Sequence, residues 1–397
     1  MNVLVLNAGS SSLKYQLFNM QTGEVSAKGV CDRVGTTEAL HVYEAGEVEQ
    51  EEQLSLLNHL EAIKAAVAAL THPHHGVIQD LSEINAIGHR VVHGGDYFVE
   101  SVVIDDEVIA RIEECVGLAP LHNPAGLAGI RACVELMEGT PQVAVFDTSF
   151  HQTMPAKAYR YPLPTKYFED LKIRRYGFHG TSHRYVAQRA AEFLGKPVED
   201  LRLITCHLGN GCSIAAINKG KSVDTSMGFT PLDGLMMGTR TGSIDPAILL
   251  YLEDYQGMSA EDINKLLNKE SGLLGVSELS NDLRDVGTAA KDGNEKAQLA
   301  IDMYAYYAKR FIGSYTFAMG AVDAIVFTAG VGENAVDMRQ MMLEGLEEQG
   351  IIIDAELNAK RGGDRSISAD ESAVKVLVIP TNEELMIAQD VKSLVGS

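Results

Sequence analysis

The sequence predicts an α/β protein made of two related halves, and three observations carry that expectation. Short runs rich in Val, Ile and Leu alternate with helical stretches along the chain. A strand that enters a turn of small residues occurs near the start and again two hundred residues later. The segment from Met154 to Tyr176, with Pro155, Pro162, Pro164 and many aromatics, breaks the pattern and puts a domain boundary near residue 150. With 397 residues, 46% of them hydrophobic and 22% charged, the chain can bury a large core. That length favours about two or three domains.

The strand expectations fall at Val3 to Leu6, at Ala86 to Ile87 with Val91 and Val92, and at Val143 to Phe146. They continue at Leu203 to Cys206, Ile325 to Phe327 and Val376 to Ile379. The clearest helices are Leu54 to Leu70 and Glu295 to Met319, where apolar residues return at three- and four-residue steps. Moving the first strand along by two hundred positions lays Leu4, Leu6, Gly9 and Leu17 on Ile204, Cys206, Gly209 and Ile217. Each copy reads strand, small polar turn, strand, which suggests an internal duplication.

Composition narrows the function. The 33 Lys and Arg against 54 Asp and Glu leave a net charge of −21, which opposes binding to nucleic acid or an anionic membrane. Any phosphate must then be gripped by a local cluster. The five cysteines are odd in number and lack a CxxC, which argues against a disulfide framework or a structural zinc site. The start, MNVLVLNAGSSS, has no basic flank and reaches Gly and Ser too soon for a signal peptide or a membrane span. A cytoplasmic location is the expectation.

Several groups carry chemistry. A turn that exposes backbone N–H groups and hydroxyls suits phosphate oxygens, and Asn7, Ser10, Ser12 and Lys14 furnish the first such turn. An ordinary hairpin explains that stretch equally well. His207 to Gly211 offers a second turn, with two glycines that permit close approach. Gly220-Lys221-Ser222 matches the end of a Walker loop, but its first glycine would fall at Ala215, so no P-loop is expected. The strand AIVFTAG runs into Gly330-Val331-Gly332-Glu333-Asn334-Ala335, which fits a dinucleotide fingerprint, with Asp354 near the place of a ribose-binding acid. The same glycine turn serves an adenosine as well.

Arg90 in GHRVVHGG and Arg240 in GTRTGS lie in glycine-flanked settings with few other charges, where an arginine grips an anion. Asp147 ends an apolar strand, where open α/β sheets place ligands, although a turn or helix cap accounts for it too. His179 and His183 are spaced like zinc ligands, but no nearby carboxylate completes a site, so His179 reads as a hydrogen-bonding or electrophilic group. The His72, His74 and His75 trio reads as a loop after a helix. Glu383 is either a first-turn partner of a helix dipole or a carboxylate in a magnesium shell.

Taken together, NAGSSSLKY, GHRVVHGG, VFDTSFH, YGFHGTSH, HLGNGCS, DTSMGFTPLDGLMMGTRTGSIDP, TAGVGENA and PTNEEL resemble the acetate kinase family, in this order and across nearly the whole chain. The resemblance implies two duplicated ribonuclease-H-like domains of the actin-like ATPase kind with a nucleotide cleft between them. Residues 1–150 with 384–397 would form one domain and 151–383 the other. It implies a reversible transfer from ATP to acetate giving ADP and acetyl phosphate, with Mg2+ or Mn2+, by a homodimer. Asn7 and Glu383 are implied as metal-site residues, and Lys14 as a contact to the nucleotide phosphates. Arg90 is implied to bind acetate, Asp147 to act as the catalytic acid or base, and His179 and Arg240 to stabilise the transition state. The nucleotide segments would be His207-Leu208-Gly209-Asn210-Gly211, Asp282-Leu283-Arg284 and Gly330-Val331-Gly332-Glu333-Asn334. Val92, Leu121, Phe178 and Pro231 would shape an apolar pocket for the methyl group.

Chemistry qualifies one of these roles. Acetate is ionised at neutral pH, so the nucleophile needs no base and Asp147 is expected to act through magnesium or its water. Three other readings compete: a propionate or butyrate kinase of the same family, an NAD-dependent dehydrogenase, and a non-enzymatic ATP clamp of the actin or chaperone kind. The joint presence of Arg90, Arg240 and His179 argues against the clamp.

Overall fold

The computed structural model describes residues 1–120 and 122–396, so Leu121 lies outside the described residues. The chain divides into two compact units, Met1–Phe150 with the stretch from Asn382 onward, and His151–Thr381. Glu383 therefore belongs to the first unit.

The first unit is built on eight strands: β1 (Asn2–Ala8), β2 (Ser12–Asn19), β3 (Glu24–Asp32), β4 (Thr36–Ala45), β5 (Val48–Leu56), β6 (Ile84–Val91), β7 (Val102–Val103) and β8 (Gln142–Phe146). Their order is β5-β4-β3-β2-β1-β6-β8-β7. From β1 to β5 the strands form an antiparallel meander, whereas β1, β6 and β8 run parallel. Alternation along β1 covers both faces of the sheet. Leu4 and Leu6 pack with Ala62, Ile63 and Ala66 of the helix His59–Leu70, and Val3 and Val5 pack with Ile387, Ala388 and Val391 of the helix Glu383–Val395. Each such aliphatic side chain contributes on the order of 2 kcal/mol when fully buried.

The second unit has six strands: β9 (Arg202–Leu208), β10 (Cys212–Asn218), β11 (Lys221–Thr225), β12 (Ala324–Thr328), β13 (Arg365–Ser366) and β14 (Lys375–Val378), in the order β11-β10-β9-β12-β14-β13. Here too an antiparallel hairpin, β9 with β10, leads into a parallel run, β9 with β12 and β14. Both sheets end in a short antiparallel edge strand, β7 or β13. The shared topology is that of duplicated ribonuclease-H-like domains. Strands β1 and β9 stand two hundred residues apart end to end, but the duplication is one residue out of step beyond the turn. Leu4 pairs with Leu17, while Ile204 pairs with Ala216, so Ala216 and not Ile217 is the counterpart of Leu17. Four residues separate Ala8 from its partner Leu13, whereas three separate Leu208 from Cys212.

All six expected strands and the helix Glu295–Met319 are present. The helix expected from Leu54 starts later. Leu54 and Leu56 complete β5, opposite Ala39 and Thr36. The helix begins at His59, because the Asn58 side chain accepts a hydrogen bond from the Glu61 N–H at 3.0 Å and starts a new backbone direction. The segment expected to be irregular holds two short helices, Ala156–Tyr159 and Thr165–Leu171, each introduced by a proline.

Candidate active site

In the first unit the parallel strands β1, β6 and β8 bring their carboxyl ends to one edge, and each delivers a polar residue there. Asn7 comes from β1, Arg90 from β6, and Asp147 directly follows β8, its N–H held by the Val91 carbonyl at 3.0 Å. Arg90 makes a two-pronged ion pair with Asp147, Nε to Oδ1 at 3.0 Å and Nη2 to Oδ2 at 2.6 Å. Arg90 Nη1 lies 3.4 Å from Asn7 Oδ1, and Glu383 Oε2 lies 4.0 Å from Arg90 Nε. Glu383 arrives as the first residue of the C-terminal helix, capped by the Asn382 side chain. Asp147 is thus no turn cap. It fixes the guanidinium plane.

The electrostatics follow from that packing. Asp147 raises the Arg90 value, burial opposes the rise, and Glu383 and Glu384 add to it. Burial pushes the Glu383 carboxyl up to about 7; Asp147 and Glu384 reinforce that shift, and Arg90 and Lys14 resist it. Lys14 is exposed on β2, opposite Asn7 in the pairing of β1 with β2. The first small-residue turn is closed by a Gly9 N–H to Ser12 carbonyl bond at 2.8 Å, and His59 Nε2 donates to the Gly9 carbonyl at 2.7 Å.

A second cluster lies in the other unit. His179 caps the helix Gly180–Leu194 with a left-handed backbone at φ 56°, a conformation that a non-glycine residue keeps only under constraint. Its ring stacks on His207 at 4.1 Å between centroids, and its Nδ1 lies 2.9 Å from Ser213 Oγ. Arg240 takes its place beside the second small-residue turn. A methyl group placed on Gly211 would lie 3.5 Å from His179 Cε1 and 3.6 Å from Arg240 Nη1. Arg240 Nη1 donates to the Pro231 carbonyl at 3.2 Å, and burial lowers its value.

The segments expected to hold the nucleotide come together at a cavity of about 940 Å³ in the second unit. Gly209, Asn210, Asp282, Leu283, Arg284, Gly330, Val331 and Asn334 line it. His207, Leu208, Gly211, Gly332 and Glu333 stand outside that lining. Leu208 is fully buried in β9. Gly332 allows close packing, since a Cβ there would sit 3.4 Å from the Cys206 carbonyl oxygen. The Glu333 carboxylate accepts from the Thr381 N–H at 3.3 Å. Residues 329–334 form a helix directly after β12, entered through Ala329 at φ 62°, and Asp354 caps the short helix Ala355–Ala359. The sheet is mixed, with the antiparallel hairpin β9–β10 beside the parallel strands, where a dinucleotide-binding fold has a run of parallel βαβ units.

The residues expected to shape a methyl pocket are distributed over the chain. Val92 follows β6 in the first unit; Phe178, buried, and Pro231, half-buried, belong to the second. His183 is buried in the core, and among the described residues no group of three or more His, Cys, Asp or Glu could hold a metal ion. Sequence reasoning missed Ser213, Thr205 and Ser182, the hydroxyls around the histidines, and the cavity residues Asn281, Thr288, Lys291 and Arg361. The period-two alternation of β9 and β10 places Thr205, His207 and Ser213 on one face, and that was the available signal.

Relatives of the chain are found at both the sequence and the structure level. The acetokinase family model matches residues 2–389. Acetate kinases of Caldanaerobacter subterraneus subsp. tengcongensis and Thermoanaerobacter pseudethanolicus are each 56% identical over 397 residues, covering 100% of this chain and 99% of those proteins. The crystal structure of Porphyromonas gingivalis acetate kinase matches with a TM-score of 0.94 and 48% identity over 99% of each chain. A propionate kinase from Francisella tularensis matches at 0.92 and 43%, over 99% of this chain and 100% of that one. A duplicated fold, an arginine–carboxylate edge and a match over almost its whole length lead to one conclusion: the chain belongs to the acetokinase family.

Proposed function

We propose that the protein is an acetate kinase, passing the γ-phosphoryl group of ATP to acetate to give acetyl phosphate and ADP, and running the reverse reaction. The observation that supports this most is the pair of differently held arginines. Arg90, backed by Asp147, is a rigid fork for a carboxylate. Arg240, beside His179 and the glycine turn, is a half-buried cation suited to charge on a transferring phosphoryl group.

Acetate attacks the γ-phosphorus in line through a carboxylate oxygen as the bond to the bridging oxygen of ADP breaks. The main obstacle is repulsion between two anions, and Arg90, Arg240 and Lys14 offset it. His179 donates a hydrogen bond to the phosphoryl oxygens. The nucleotide occupies the cavity beside Gly209, Asp282 and Gly330.

The donor set at the strand edge fits a magnesium ion, with manganese an acceptable substitute. Magnesium takes one or two carboxylates and keeps waters and substrate phosphates as its other ligands. Asn7 Oδ1 and the Glu383 carboxylate would hold it, with Asp147 reached directly or through water. When bound, it neutralises charge on the phosphate oxygens. The raised Glu383 value marks a carboxylate whose ionised form lacks sufficient compensation from the protein, as expected of a cation ligand.

Five buried, unpaired cysteines and the acidic balance fit a cytoplasmic protein. Among the described residues no helix is long and apolar enough to cross a membrane. A homodimer is the proposed assembly: the helix Ala247–Gln256 buries none of its residues and exposes Leu250, Tyr251 and Tyr255. Sedimentation velocity on Leu250→Asp, Tyr255→Asp would give a monomer; a wild-type protein that is already monomeric rejects the dimer.

The function is tested by trapping acyl phosphate with hydroxylamine in the presence of ATP and acetate, propionate or butyrate. Acetate should give the largest yield, and propionate a measurable one, because one methylene in an apolar pocket is worth roughly 1–3 kcal/mol. A stronger signal from propionate or butyrate would reassign the acceptor. No trapped product with any acceptor would reject the reaction.

A further inference from the structure

Behind His179 lies a chain of hydrogen bonds that the proposed reaction has not used. Ser213 Oγ, fully buried in β10, is 2.9 Å from His179 Nδ1 and 2.7 Å from His183 Nε2. His183 Nδ1 is in turn 2.7 Å from Thr205 Oγ1 in the neighbouring strand β9. One hydroxyl proton on Ser213 faces two ring nitrogens, so two arrangements are open.

In one, Thr205 donates to His183 Nδ1, His183 Nε2–H donates to Ser213, and Ser213 donates to His179 Nδ1. His179 then keeps its proton on Nε2. In the other, every donor is reversed: Ser213 donates to His183 Nε2, His179 Nδ1–H donates to Ser213, and a neutral His179 shows a bare Nε2. The second arrangement presents a lone pair where a phosphoryl oxygen must be received. His207 is stacked on the ring, and the Arg240 guanidinium stands close by the same glycine. Burial holds His183 neutral, with the neighbouring His151 and His207 adding to the effect.

We propose that Ser213, oriented by His183 and Thr205, is a positioning residue that fixes His179 as the neutral tautomer protonated on Nε2, so that the ring arrives at the transferring phosphoryl group as a ready donor. The choice between the two arrangements rests on the phosphoryl-transfer reading; the hydrogen-bonded chain that fixes one of them does not.

Two measurements test it. The first is nitrogen-15 NMR of the wild-type protein with 15N-labelled histidine, the His179 signals being assigned by their loss in His179→Gln. Nδ1 should appear as the unprotonated nitrogen and Nε2 as the protonated one. A protonated Nδ1, alone or with Nε2, overturns the proposal whether or not the protein phosphorylates acetate. The second is steady-state kinetics of Ser213→Ala and Ser213→Thr with acetate and ATP. Alanine should lower kcat by on the order of tenfold to a hundredfold, with both KM values nearly unchanged, and should convert the His179 signals to a mixture of tautomers. Threonine, which keeps the hydroxyl, should restore most of the loss. An alanine variant with wild-type kcat, or with the loss confined to KM, defeats the proposal. If the wild type fails to make acetyl phosphate, the functional reading fails and the NMR result still decides the tautomer.

Discussion

Arg90 and Arg240 are the same side chain in opposite electrostatic settings. Arg90 is clamped by both oxygens of Asp147, with Glu383 4.0 Å away, and its guanidinium charge is largely balanced before any ligand arrives. Arg240 rests against the Pro231 carbonyl and, at 3.8 Å, the Met237 Sδ; among the described residues no carboxylate pairs with it. Burial raises the cost of its charge, where at Arg90 a partner lowers it. A balanced arginine is best at holding a ligand in one orientation. An unbalanced one gains most from charge that develops during reaction, because its field is not already spent on a neighbour.

That contrast is broken or upheld first by Arg240→Ala. We expect kcat to fall by about 10³-fold while the KM for acetate changes by a few-fold at most, since a donor aimed at developing charge acts mainly in the transition state. Arg240→Lys should recover little, because a point charge on a flexible stem does not reproduce the fork. A loss confined to the acetate KM would mean that both arginines merely bind.

The next largest effect is expected at Arg90. Its alanine variant should raise the acetate KM by roughly a hundredfold, in line with about 3 kcal/mol for a charge-assisted contact, with a smaller change in kcat. It should also destabilise the protein by about 3–5 kcal/mol, because the Asp147 side chain is only 2% exposed and would be left as a buried, unpaired charge. Asp147→Ala in the same background should return part of that stability. Asp147→Asn in the wild-type background should lower both turnover and apparent magnesium affinity. Full retention of both would remove Asp147 from the metal and leave it as a brace for Arg90 alone.

The contrast was half legible in the sequence. Both arginines stood out because glycines flank them and other charges are scarce, and Asp147 because it ends an apolar strand. Their partners were less visible. The Arg90–Asp147 pair depends on β6 and β8 being parallel neighbours that end together, which is a matter of sheet order and not of spacing along the chain. Arg240 is held by a backbone carbonyl and a thioether, neither of which leaves a sequence signature. Ser213 was hidden for another reason: its hydroxyl lies on a strand with no motif around it, and His183, noticed only for its zinc-like spacing from His179, gave no sign of bonding to that hydroxyl. Local packing decided the misplaced elements as well. Leu54 and Leu56 satisfy a helical period and a strand period equally, and Asn58 breaks the tie. The one-residue difference between the two small turns shifts the pairing beyond them, and an ungapped match cannot register it.

The smallest effect separates the two settings by acidity. Glu383, its side chain 19% exposed, belongs to the Arg90 cluster, and among the described residues no carboxylate pairs with Arg240. Burial raises the Glu383 carboxyl from 4.5 to about 7, so the folded protein holds this proton more tightly than the unfolded chain does. Its contribution is fully present below about 4.5 and is lost as pH rises through about 7. Without metal, Glu383→Gln should therefore gain stability relative to wild type as pH increases, the gap widening by roughly 2–3 kcal/mol between about pH 5 and about pH 8. Thermal unfolding at a series of pH values measures it. Magnesium with ADP should narrow the gap, because binding to the folded state rewards the ionised carboxylate and the amide cannot match it. A difference that stays constant with pH would mean that Glu383 is already compensated without a cation. The acidic edge would then be balanced without a cation, as Arg90 is by Asp147, and the assignment of the metal to Asn7 and Glu383 would have to be given up.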